Sequence, residues 1–244
     1  TGSDIMYAIE LNNVTKKYKD VTAVDSLSFN VEKGKCVSLL GVNGAGKTTS
    51  IKMMCGIIKP DSGSIRVMGY DTVSEKNKVG SVIGVSPQET AVAQNLTVRE
   101  NLEFIAGIYN KKDADINSVI EKLGLGEVEK KRAGKLSGGY QRRLSIAMAI
   151  VTEPEVLFLD EPTLGLDVIA RRELLTFIKK LKGEHTVVLT THYLEEARIL
   201  SDVTAVMAKG RLKAFGTTDE IIKMSGKETF EDAFVALAGG EDLK

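Results

Sequence analysis

Apolar and polar residues alternate from Tyr7 to Val14 and again from Ser26 to Val31, the period of strands with one buried face. Ser64–Met68 and Val82–Val85 read as further short strands. The run Cys36–Leu40 is almost wholly apolar, as expected of a strand covered on both sides, and Lys47–Cys55 follows it as a helix. From Glu89 the pattern turns helical. Thr97 with Glu100 three residues on forms a capping box, and Leu102, Ile105 and Ala106 then share one helix face. A second helix spans Asp115–Leu123 and stops at Gly124. Alternation of strands and helices resumes with Glu155–Asp160, Ala170–Leu181, Thr186–Thr190, Glu195–Leu200 and Val203–Ala208, and Arg211–Phe215 is expected to pair with that last strand.

These periods divide residues 6–244, taken as one domain, into sheet-containing stretches 6–88 and 136–215, a helical insert 89–135 and a helical tail 216–244. Thr1–Ile5, ahead of Met6, are set aside as a cloning remnant. The basic runs Lys130-Lys131-Arg132 and Lys179-Lys180 read as solvated helix faces.

The segment between the first buried strand and its helix carries chemistry. Gly41-Val42-Asn43-Gly44-Ala45-Gly46-Lys47-Thr48-Thr49 has the spacing of a phosphate loop. Its glycines allow a tight turn that aims backbone N–H groups, with the positive end of the helix, at a polyphosphate. Asn43, Gly44, Ala45, Gly46 and Thr49 supply that cradle, Lys47 reaches the β- and γ-phosphates as a point charge, and the Thr48 hydroxyl suits Mg²⁺. Asp160 and Glu161 end the apolar run Val156–Leu159, where buried parallel strands open onto a ligand crevice. Asp160 is placed to hold Mg²⁺ through a water and Glu161 to act as general base on an attacking water. The expected fold class is α/β: a P-loop NTPase core with a mostly parallel sheet, an N-terminal antiparallel β subdomain and an inserted helical subdomain.

Further motifs stand in fixed order along the chain: Gln88 in Ser-Pro-Gln, Leu136-Ser137-Gly138-Gly139-Tyr140, Leu164-Gly165-Leu166-Asp167 and His192 after Leu189-Thr190-Thr191. With the phosphate loop and Asp160-Glu161 they make the chain resemble the ATP-binding subunit of ATP-binding cassette (ABC) transporters, from about Ile9 to the C-terminus. The resemblance implies that two chains close head to tail over two Mg-ATP molecules, as a homodimer or with a paralogue. Ser137, Gly138, Gly139 and Asp167 of each then meet the ATP held by the other. It implies that Gln88 contacts Mg²⁺ and the attacking water, that His192 contacts the γ-phosphate, and that Tyr18 stacks on adenine. The residues themselves allow Ser137 to cap a helix whose first amides face an anion. An ordinary cap followed by Arg142-Arg143 on a solvated face is physically sufficient for this segment by itself, and only the combination with the other motifs demotes it.

Tyr140 replaces the Gln of many members, and Gly-Leu-Asp the commoner Ala-Leu-Asp; every residue expected at phosphate, metal or water is present. The insert lacks sustained heptads, unlike chromosome-maintenance and repair relatives. Thr229–Leu237 and Thr191–Ala197 are similar to stand-alone exporter ATPases, which serve drug, antibiotic, lipid, polysaccharide or sodium efflux. The implied partner is a separate transmembrane permease, and the implied location is cytoplasmic, peripheral at the inner face of the cell membrane. The competing function is a regulatory or assembly ATPase that drives a protein partner without a membrane subunit.

Composition narrows the partners. Thirty-three basic residues balance thirty-three acidic ones, so no global field recruits nucleic acid or an anionic membrane. No apolar stretch approaches the roughly 20 residues that span a bilayer, and no secretory pattern is seen. Cys36 and Cys55 fall on a strand and a helix and read as buried, reduced thiols.

Overall fold

The computed structural model describes residues 6–111 and 113–239; Thr1–Ile5, set aside above, and the last residues of the tail lie outside the described residues. The chain begins with β1 (Tyr7–Tyr18), β2 (Val21–Glu32) and β3 (Cys36–Leu40), followed by α1 (Lys47–Met54), β4 (Ser62–Val67), β5 (Tyr70–Asp71), α2 (Lys76–Val82) and β6 (Ile83–Ser86). Next come α3 (Val98–Ile108), α4 (Ile116–Lys122), two single 3₁₀ turns at Gly126–Val128 and Ala133–Lys135, and α5 (Gly138–Ile150). Then β7 (Val156–Asp160), α6 (Val168–Leu181), β8 (Thr186–Thr191), α7 (Leu194–Leu200), β9 (Val203–Ala208) and β10 (Arg211–Gly216) lead to α8 (Thr218–Ser225) and α9 (Phe230–Gly239).

Two sheets result. One is antiparallel, in the order β2-β1-β4-β5; the other runs β10-β9-β3-β8-β7-β6 and is parallel except for β10. The α/β class with its antiparallel subdomain is therefore as expected. Every residue of β3, β7 and β8 is buried. Period two then sorts β7: Leu157 and Leu159 face a core shared with α3, α4, α5 and α6, whereas Val156 and Phe158 face one shared with β1, β2 and α1. A third cluster seats Ile221 of α8 and Phe230 and Ala233 of α9 against Leu40 and Val206. Cys36 and Cys55 are buried and free, and burial pushes both thiols up, Cys36 to about 12.

The differences from the sequence reading have physical causes. β1 and β2 continue past the expected limits at Val14 and Ser26, because register shifts between Leu11 and Lys17 break the alternation without ending the pairing. Asn13 and Ser26 take positive φ at these irregularities. The short α2 was not expected: its Lys-Asn-Lys start has no helical period and buries only Val79. Arg142 and Arg143 do not lie on a solvated face; they are 5% and 7% exposed. Arg143 sits between the Tyr140 and Phe177 rings, 5.0 and 4.6 Å from their centroids, and pairs with Glu173. Gly124, at φ +61°, makes room for this stack, since a Cβ there would come within 2.6 Å of Phe177 Cζ. The capping box of Thr97 and Glu100 is present on α3 as expected.

Gly84 of β6 lies against the end of α5, where an added Cβ would stand 2.1 Å from the Ala149 carbonyl oxygen. That neighbour is backbone and cannot rotate away. Gly84→Ala is expected to cost about 1–3 kcal/mol, the usual penalty of overpacking, and to lower the Tm by several degrees in calorimetry. Gly80→Ala, with open space at its Cβ, should leave the Tm unchanged or slightly raised.

Candidate functional site

The C-terminal ends of β3, β7 and β8 converge on one cleft of about 760 Å³. Asn43, Gly44, Ala45, Gly46, Lys47, Thr48 and Thr49 form one wall; Gln88, Glu161 and His192 line the rest, with Val21, Thr22, Ala23, Leu164 and Lys209. The Lys47 side chain folds back into its own loop, donating from Nζ to the carbonyls of Gly41 (2.7 Å) and Val42 (3.2 Å). Its ammonium is also 3.4 Å from Glu161 Oε1, with both side chains buried.

Glu161 is held in an unusual way. It takes the left-handed backbone conformation, φ +47°, an arrangement that costs a non-glycine residue of order 1 kcal/mol and persists only where its surroundings impose it. Its N–H donates to Thr190 Oγ1 at 2.8 Å, and its Oε2 is 2.9 Å from His192 Nδ1. A carboxylate accepts, so Nδ1 is the nitrogen that carries the proton in this pair. Asp160 lies just beneath: its Oδ1 accepts from Thr190 Oγ1 (2.5 Å) and from Thr48 Oγ1 (3.1 Å).

Thr48 and Asp160 are thus adjacent hard oxygen donors at the edge of a phosphate loop, and Gln88 lines the same cleft. This donor set fits Mg²⁺, which takes one or two protein oxygens and completes its shell from phosphate and water. No group of three His, Cys, Asp or Glu side chains among the described residues forms a metal cage by itself.

Arg142, which the alternative reading of this segment put on a solvated face, fixes the Gln88 segment. Its guanidinium donates to the carbonyls of Pro87 (2.7 Å) and Gln88 (2.5 Å), which ties α5 to the end of β6. Burial pushes this guanidinium below its ordinary value, partly offset by the Asp160 carboxylate. The contacts span more than fifty residues, so no local pattern could have revealed them.

The remaining expected residues lie elsewhere. Ser137 and Gly138 are exposed at the start of α5, and neither they nor Gly139 and Asp167 line the cleft. Ser137 is the N-cap residue of α5, but its hydroxyl makes no capping bond. Gly138 and Gly139 instead abut Leu166 and Ala170, beside the start of α6, where Asp167 Oδ1 accepts from the N–H groups of Ile169 and Ala170, both at 2.9 Å. Next to it Val168 and Ile169 are 83% and 73% exposed. Tyr18 is exposed at the end of β1, paired with Val21, and it is Val21 that lines the cleft. The other histidine, His185, lies away from the cleft and donates from Nδ1 to the Pro154 carbonyl at 2.7 Å.

A sequence profile described as ABC transporter matches residues 24–164, more than half of the chain. The chain belongs to the ABC transporter family. Among relatives of this ABC cassette, the daunorubicin resistance ATP-binding protein DrrA3 of Streptomyces coeruleorubidus is 39% identical over 92% of the chain and 72% of its own length. The probable multidrug ABC transporter ATP-binding protein YbhF of Escherichia coli is 37% identical over 94% of the chain. ABC transporter A family member 7 of Arabidopsis thaliana is 39% identical over 90% of it. The chain spans 41% of the length of the second relative and 25% of the third. Of solved structures, an ATP-binding subunit of an ABC transporter superposes with a TM-score of 0.84 at 27% identity, covering 94% of this chain and 99% of that one. A dimeric bacterial ABC transporter cassette gives 0.76 at 25% identity, covering 86% and 98%. Cassettes of this family bind and hydrolyse ATP, and no helix among the described residues is long and apolar enough to cross a membrane.

Proposed function

We propose that this ABC cassette binds Mg-ATP in the cleft and hydrolyses it as a head-to-tail dimer, with itself or a paralogue, to drive export through a separate transmembrane permease. The observation that carries this reading is the separation of two half-sites on one chain. The phosphate loop, Glu161 and His192 line the cleft, while Ser137, Gly138, Gly139 and Asp167 lie on another surface beside exposed Val168 and Ile169. A second copy would bring its Ser137–Gly139 amides and Asp167 to the open side of the cleft and cover those apolar side chains.

Each residue then has a task. Backbone amides from Asn43 to Thr49 and the Lys47 ammonium hold the phosphates, with the adenine against the strand edge at Val21 and Tyr18 beside it. Thr48, Asp160 and Gln88 would hold Mg²⁺, which when bound neutralises charge on the β- and γ-phosphate oxygens. Glu161 takes the proton of the attacking water, and His192 orients that carboxylate and reaches the γ-phosphate. ATP drives closure only by binding the closed state more tightly than the open one, and the γ-phosphate that ADP lacks supplies that difference.

The relatives named for daunorubicin resistance and multidrug transport support an exporter. A largely apolar groove of about 510 Å³, lined by Ile57, Pro87, Ala91, Ile105, Tyr109 and Met148, adjoins the Gln88 segment and suits a cytoplasmic helix of the permease. This arrangement would put the cassette at the inner face of the cell membrane.

Size-exclusion chromatography with light scattering on Glu161→Gln tests the pairing. A shift from monomer to dimer is expected with Mg-ATP and not with Mg-ADP. Absence of the shift, with ATP binding intact, would remove the homodimer. Co-purification with a polytopic membrane protein is expected as well, and recovery with a soluble partner alone would favour the regulatory or assembly ATPase.

A further inference from the structure

A buried carboxylate lies close to the cleft without lining it. Glu196, on α7, is 1% exposed, and its carboxylate gathers donors from three separate segments. Oε1 accepts from the Thr163 hydroxyl and from Arg171 Nε (2.9 Å); Oε2 accepts from Thr191 Oγ1 (2.6 Å). Thr163 follows Glu161-Pro162 and opens the loop that ends in Asp167, Arg171 lies on the first turn of α6 beyond Asp167, and Thr191 precedes His192. Burying a carboxylate is expensive unless its oxygens are paired, so loss of any of these three contacts leaves part of a buried charge uncompensated.

The network continues to the reacting groups. Thr191 Oγ1 also accepts the N–H of Tyr193 at 3.0 Å, which fixes the turn carrying His192. Arg171 lies 3.8 Å over the Tyr193 ring, and that ring packs 4.0 Å from the imidazole of His192. His192 in turn bonds Glu161. An unbroken series of contacts therefore runs from the Asp167 loop and α6 through Glu196 to the Glu161–His192 pair.

We propose that Glu196 is a positioning residue for hydrolysis: it sets His192 and Glu161 in register with the Asp167 loop, so that the loop's placement decides whether the pair is aimed at water. Most of the nucleotide-binding groups, the phosphate-loop amides and Lys47, make no contact with Glu196 or its three donors, and Lys47 meets the series only at its far end, Glu161. The inference builds on the ATPase reading above. It differs from a plain stability role in what it leaves untouched.

The test is steady-state ATP hydrolysis and equilibrium ATP binding by the full chain carrying Glu196→Gln, alone and with His192→Ala. A misplacement of about 1 Å costs on the order of 10²-fold in rate, so a fall in kcat of at least about tenfold is expected, with the Kd for ATP within about twofold of the parent. In the His192→Ala background the same change should alter kcat by less than about twofold, because residues acting as a unit are non-additive. An unchanged kcat in the single variant, an equal loss in both backgrounds, or parallel loss of ATP binding would overturn the proposal. Should Glu196→Gln fail to fold, Thr163→Val removes one donor at constant size and must show the same kcat-selective loss. A parental chain without hydrolysis would defeat the ATPase reading itself; an active parent with an unaffected variant defeats only the role of Glu196.

Discussion

Glu161→Gln is expected to bind ATP as the parental chain does and to hydrolyse it about 10²–10⁴-fold more slowly, the usual worth of a positioned general base. Gln has the shape of Glu: its amide oxygen can face Lys47 Nζ while its NH2 donates to His192 Nδ1 in the tautomer protonated at Nε2, and the left-handed backbone at 161 need not change. What is lost is the ability to take a proton. Loss of the negative charge also removes repulsion between the carboxylate and a γ-phosphate, so the Kd should be unchanged or lower. Single-turnover phosphate release, run beside equilibrium nucleotide binding, separates the two steps. Turnover at the parental rate would show that Glu161 is not the base.

Lys47→Ala is expected to act on the other step. The ammonium that would meet the phosphates is also the donor that satisfies the Gly41 and Val42 carbonyls and faces Glu161, all within a buried corner. Removing it takes away a charged hydrogen-bond donor worth about 1.5–3 kcal/mol, and hence weakens ATP binding by about 10–150-fold. It also leaves the buried Glu161 carboxylate without its cation. Isothermal titration should record the weaker Kd, with a far-ultraviolet spectrum like that of the parent. ATP binding at parental strength would overturn the assignment of Lys47 to the phosphates. The two variants thus differ in kind: one retains the ligand and stalls the chemistry, the other loses the ligand.

Much of this site was legible because its parts are local. The buried strand, glycine turn and helix around Lys47 are contiguous, and Asp160-Glu161 mark the end of an apolar strand whose five residues are all buried. Thr97 with Glu100 is a cap that closes within three residues. Partnerships between distant segments were not legible. Arg142 looks like any helix-surface arginine until β6 is folded against α5, and Glu196 reads as one of two neighbouring glutamates until Thr163, Arg171 and Thr191 surround it. Ser137 carries the right residue type for a cap, yet its hydroxyl makes no capping bond. The strands β1 and β2 were read short for a related reason: a bulge shifts the alternation while the ladder continues.

The stack of Tyr140, Arg143 and Phe177 over Gly124 has a consequence for inheritance. A side chain at position 124 would push the Phe177 ring from its place, and loss of the ring at 177 would uncover one face of the Arg143 guanidinium, whose Nε has no hydrogen-bond partner. Each change alone should lower stability; pairing them relieves the clash at 124 while leaving its left-handed backbone to be met by a residue that tolerates it. Lineages descended from this sequence should therefore alter 124 and 177 together or leave both alone, and the pair should stand out in a comparison of their genes even though the two residues lie far apart along the chain.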